Sequence, residues 1–256
     1  MSSNTHSEPA VGLPPTDDRP SRTGRPRAVL VALGLTLVGL VVGTALGATA
    51  IVAEGVLTGS FLESGAFFLA SAALTMVGYA LVALVYARRY GLAIPARIPT
   101  RREIGWVLGG TVLALATVTA LSALVATLGL EAAPNAVGLV GSERPSLFLA
   151  LAVLSVLAVG PAEELLFRGA VQGRLREAFG PVGAVLGASA IFAAVHAVAV
   201  VGTLGATLVT ISILMATSLV LGVAYERTRN VVVPALLHGL YNATLLTLAY
   251  VALVGL

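Results

Sequence analysis

Six polar side chains sit where this sequence is otherwise apolar. Glu163, Glu164 and Arg168 fall within the stretch PAEELLFR, His196 within IFAAVHA, and His238 and Asn242 within LLHGLYN. Ionisable groups at membrane depth are costly, so they are rare and tend to mark function. Apart from His6 near the N-terminus, His196 and His238 are the only histidines in the chain. Two carboxylates and two imidazoles gathered in a low-dielectric site could activate a water by general-base catalysis, with burial favouring a carboxyl basic enough for the task.

Helical spacing divides the work. Glu164 and Arg168 are four residues apart, share one face of a helix and can pair. Glu163 points about 100° away from that face and has no partner built into the pattern, which makes it the better candidate for chemistry, and with His196 it could activate a water. His238 and Asn242 are also four apart, and both can donate towards one point, as an oxyanion site requires. Ser155, Ser189 and Thr244 are the nearby hydroxyls in sequence. Small-residue helix packing accounts for them without a nucleophilic role. Glu163, His196 and His238 could alternatively hold zinc with one position open for water. The His-Glu-x-x-His spacing is absent, however, so the expectation is that no metal is required.

Something must carry these groups at a common depth, and the composition says what. The 256 residues are 57% hydrophobic and 11% charged, against about 25% charged in ordinary globular chains. Mean hydropathy is +0.97. Repeated apolar runs of ~20 residues predict an all-α, polytopic bundle of about seven transmembrane helices, with an eighth admissible. Residues 1–27, rich in Ser, Pro, Thr, Asp and Arg, read as a disordered cytoplasmic tail without signal-peptide character. Residues 28–144 read as N-terminal transmembrane helices and residues 145–256 as the catalytic ones. The expected spans run from about 28 to 52, 66 to 87, 106 to 128, 145 to 179, 181 to 200, 205 to 225 and 231 to 248. The fourth is long and kinked at Gly160-Pro161.

Gly180-Pro181 should break the chain into a helical hairpin. Glu163 lies about as far before that break as His196 lies after it, ~25 Å at ~1.5 Å per residue, so the two can face each other. All 15 basic residues are Arg. They concentrate in the N-terminal tail, the loop after span two, the turn after span four and the loop after span six. This pattern predicts a cytoplasmic N-terminus in the cell membrane and a site nearer the cytoplasmic side. With no cysteine, disulfides, thiolate catalysis and Cys-ligated zinc are excluded. The sequence pI of 9.7 reflects orientation signals, not a nucleic-acid partner. No internal repeat supports a transporter that relays protons through these groups.

Three motifs now stand in order. PAEELLFRG resembles the Glu-Glu-x-x-x-Arg motif of the CPBP intramembrane proteases, the group related to CAAX prenyl protease 2 and often described as Abi. Phe192-x-x-x-His196 resembles the second motif of that family and His238-x-x-x-Asn242 the third, over about residues 145–250. The resemblance implies peptide-bond hydrolysis in a membrane-associated or prenylated protein. It also implies Glu163 as base, His196 on the water, His238 and Asn242 at the oxyanion, and Glu164, Arg168 and Phe192 in support. Some family members are called metalloproteases and others glutamate proteases. Some are linked to bacteriocin immunity, which keeps a non-catalytic scaffold as the competing reading.

Overall fold

The computed structural model describes residues 24–255. His6 and most of the expected tail lie outside them. The described chain is helical throughout, and its one β-bridge joins the loop residues Asn135 and Val200.

Helices α1 (Gly24–Thr58), α2 (Gly65–Tyr90) and α3 (Arg101–Thr127) come first, followed by the short α4 (Ala136–Glu143). A nearly continuous helical path then runs through α5 (Ser146–Leu154), a π-helical turn at Ser155–Val159, α6 (Gly160–Glu164), a second π-helical stretch at Leu165–Gln172, and α7 (Gly173–Val195). Helices α8 (Leu204–Thr228) and α9 (Val232–Val254) complete the bundle. Among the described residues, six runs are long and apolar enough to cross a membrane, one of them the 54-residue path Ser146–Ala199. That path folds back on itself at Gly180, where φ is 69° and ψ −176°. Only glycine adopts this conformation readily, and Pro181 suits the first turn of the returning leg. The two legs account for the expected fourth and fifth spans.

Several boundaries differ from expectation for local reasons. Helix α1 starts at Gly24 and runs past Val52 to Thr58. It thereby takes in Glu54, expected in a loop. Glu54 is instead fully buried and accepts from the backbone N–H groups of Leu62 (2.9 Å) and Ser64 (2.5 Å), closing the turn into α2. Helix α3 starts at Arg101, five residues before Trp106, because Thr100 and Glu103 form a reciprocal capping box. Helix α4 forms inside the expected loop, with Asn135 capping its first turn.

Small residues let the helices approach where lipid offers no hydrophobic drive for association. Gly43 of α1 and Gly78 of α2 meet backbone to backbone. One apolar cluster gathers α1, α2 and both hairpin legs around Leu166, Phe167, Ala188 and Phe192. A second joins α3, α8 and α9 around Val107, Leu221 and Leu237. Phe192, with Leu166 and Phe167 between Glu164 and Arg168, belongs to the first cluster, and Leu237 beside His238 belongs to the second.

Asn230 sets the height of α9. Its side-chain oxygen accepts from the N–H of Arg97 (3.1 Å) and Val232 (3.3 Å), and its amide donates to the Arg97 carbonyl (3.0 Å). Val231 N–H adds a bond to the Pro95 carbonyl. Asn230→Ala is expected to cost about 1–3 kcal/mol, because it strands buried backbone groups. A thermal melt in detergent would show the loss; an unchanged midpoint would mean that this clamp carries no stability.

Candidate active site

The path through the first leg is shaped by Pro161. Having no N–H, proline cannot close the usual bond to the carbonyl four residues back, and its ring crowds that carbonyl. The helix widens into the π-helical turn at Ser155–Val159 immediately before it. Such turns recur at functional sites. The expected kink is therefore a widened turn.

Two glycines then decide how near the partner helix comes. A Cβ on Gly239 would lie 2.7 Å from Val156 Cα and 2.9 Å from the Ser155 carbonyl, and a Cβ on Gly160 would lie 2.9 Å from the Gly239 nitrogen. Helix α9 thus rests against the backbone of the first leg at the level of the motif. Gly239→Val must push the two apart, since the obstructing atoms are backbone. A misplacement of ~1 Å at a catalytic group can lower the rate about 100-fold. That loss of cleavage is the expected result, and a full rate in Gly239→Val would show that the close approach is dispensable.

This approach delivers His238 between the two acids. His238 Nδ1 lies 3.0 Å from Glu164 Oε1, and Nε2 lies 4.0 Å from Glu163 Oε2. On its other oxygen Glu164 accepts from Arg168 Nε at 2.8 Å, and both side chains are fully buried. Arg168 continues to Ser218 Oγ of α8 at 2.8 Å. The expected Glu164–Arg168 pair is therefore present, and Glu164 has a further partner that spacing did not reveal, His238. The Glu163 carboxylate accepts no hydrogen bond from the described residues, and its side chain keeps 11% of its surface exposed.

Phe192 links the second motif to the other two. Its ring centroid is 4.5 Å from that of His196 and 5.8 Å from that of His238, and it lies 5.0 Å from Phe167. The Arg168 guanidinium sits 5.3 Å from the same centroid. His196 is part-buried and stands where the α-helix gives way to a short 3₁₀ turn. Its Nδ1 is 2.7 Å from the Phe192 carbonyl. A carbonyl can only accept, so Nδ1 carries the proton and Nε2 of the neutral ring has a free lone pair. Asn242 is part-buried, one turn beyond His238, and its side chain makes no hydrogen bond among the described residues.

Sequence reasoning missed Gln172 and Ser218, both fully buried. Gln172 donates to the Gly222 carbonyl and to Glu226, each at 3.2 Å, and Glu226 pairs with Arg176 at 2.9 Å. Glu164, Arg168, Gln172 and Arg176 recur every four residues, as do Ser218, Gly222 and Glu226 on α8. That doubled polar period was a visible signal of two facing stripes. They run from the site to the arginine-bearing end of the bundle.

Glu163, His196 and His238 are not assembled into a metal-holding set. Among the described residues, no three His, Cys, Asp or Glu side chains are so placed.

Residues 145–244 match the model of the family described as type II CAAX prenyl endopeptidase Rce1-like. That segment is Rce1-like. The match begins at the residue before α5 and ends past Asn242, so it holds all three motifs. It agrees with the resemblance to CPBP intramembrane proteases, and the matched segment lies within a multi-pass membrane protein. No curated protein and no solved structure matches the chain.

Proposed function

We propose that this protein is an intramembrane endopeptidase in which Glu163 activates a water. The observation that carries the reading is the division of charge between the two glutamates. Glu164 is bound on both oxygens, by Arg168 and His238. Glu163 accepts from no donor among the described residues, yet lies beside the far nitrogen of the same imidazole. A structural acid needs its partners, whereas a general base needs an open lone pair within reach of water.

In the proposed reaction Glu163 takes a proton from water as the oxygen attacks the scissile carbonyl carbon. His196, with Nδ1 committed to the Phe192 carbonyl, offers Nε2 to hold that water. Negative charge develops on the carbonyl oxygen. Asn242 donates to it, and His238 does so from Nε2 when doubly protonated, with Glu164 holding Nδ1. The C–N bond breaks, and Glu163 returns its proton to the leaving amine. One product carries the new carboxylate and the other the new amine.

The description of the matching family supports a membrane-associated protein as substrate, with a prenylated CAAX terminus as the first choice. The arginine-bearing end of the bundle is assigned to the cytoplasm in the cell membrane. The reaction as written needs no metal.

The test pairs cleavage assays on a prenylated CAAX peptide and a panel of membrane proteins with metal analysis of protein purified without chelator. Cleavage by wild type and its loss in Glu163→Gln support the reading. One equivalent of zinc per chain, lost together with activity in His196→Ala, would replace it with the metal-dependent version. A Glu163→Gln variant that kept the cellular phenotype would point to a scaffold.

A further inference from the structure

Helices α1 and α2 carry a groove of about 730 Å³ that no motif residue lines. Its walls are Val31, Val38 and Val42 of α1 with Leu81 and Val85 of α2. At one end it is lined by three arginines from separate elements: Arg27 at the start of α1, Arg89 at the end of α2 and Arg174 near the hairpin tip. Among the described residues, no acidic residue lines it. Glu177 pairs with Arg174 from outside the groove, and that pair leaves Arg174 Nε without a partner among the described residues.

We propose that this groove binds one anionic phospholipid of the bilayer, with its phosphate among the three guanidiniums and an acyl chain along the valine wall. Shape and charge agree on this occupant. From Arg27 to Val42 is 15 residues of helix, ~22 Å along the axis. The groove is therefore cationic at the arginine-bearing end and apolar down into the depth where acyl chains run. Guanidinium forks suit phosphate oxygens, and basic pockets between membrane helices at the interface are places where anionic headgroups bind. A soluble phosphate would use the arginines but leave the apolar wall uncovered.

Gly34 offers a clean probe. It lines the groove, and a Cβ there would meet nothing within 4 Å. Gly34→Leu therefore fills the groove without a clash in the bundle. The full chain is reconstituted in vesicles of equal phosphatidylglycerol and phosphatidylcholine, extracted in mild detergent and weighed intact by native mass spectrometry. Wild type should retain one phosphatidylglycerol per chain in preference to phosphatidylcholine. The triple variant Arg27→Gln/Arg89→Gln/Arg174→Gln should lose that preference by roughly 100-fold, from the contribution of each arginine near a charged headgroup. Gly34→Leu should retain neither lipid while melting as wild type does. Excess inorganic phosphate should leave the bound lipid in place.

Equal retention of the two lipids by wild type would overturn the proposal. So would displacement of the lipid by phosphate alone, or undiminished retention in Gly34→Leu. The prediction does not depend on the chemistry proposed for Glu163.

Discussion

Glu163→Gln is expected to fold, to melt near the wild-type temperature and to lose cleavage by about 10²–10⁴-fold, the usual contribution of a general base. The amide keeps the size of the side chain and removes only the basic lone pair. The neighbouring groups hold their partners without Glu163: Glu164 has Arg168 and His238, and Arg168 has Glu164 and Ser218. Loss of a charge 4.0 Å from His238 Nε2 should therefore leave the bundle standing. The decisive comparison is Glu164→Gln. It weakens the bond to Arg168 and the acceptor of His238 Nδ1 together, so it should lower both stability and activity. Single-turnover cleavage and a detergent melt on the two variants separate the roles. If Glu163→Gln cleaves at the wild-type rate while Glu164→Gln does not, the base has been assigned to the wrong glutamate.

Arg168→Leu should be the most destabilising single change in the site, by about 3–5 kcal/mol. Arg168 is fully buried, pairs with the equally buried Glu164, and lies over the Phe192 ring. Removing it leaves a carboxylate with only His238 to answer it in a medium that solvates charge poorly. The double variant Arg168→Leu/Glu164→Gln removes the stranded charge as well. It should recover part of the loss and melt above the single variant. Differential scanning in one detergent, with both variants side by side, gives the order directly. A double variant less stable than Arg168→Leu would show that Glu164 contributes through something other than this ion pair.

Much of the bundle could be read from the chain. Apolar run length decides that helices span, since no other open structure satisfies its backbone in lipid. The Gly180-Pro181 break was legible because glycine alone adopts that conformation readily and proline starts the next leg. The Glu164–Arg168 pair was legible because partners four apart meet on any helix. The capping box at Thr100–Glu103 was equally visible, and passing over it misplaced the start of α3.

Local spacing therefore determined which residues share a face and where the chain turns. It could not determine how each helix is rotated about its own axis against its neighbours, or how closely two axes approach. The tertiary structure decided those. Contact of Gly239 with the backbone around Ser155 and Val156 brings α9 in, and the Asn230 clamp sets its height. Together they place His238 on Glu164 with Glu163 at its other nitrogen. The physical reason is that periodicity is a property of one helix, whereas the roles of these two adjacent glutamates depend on the packing of three.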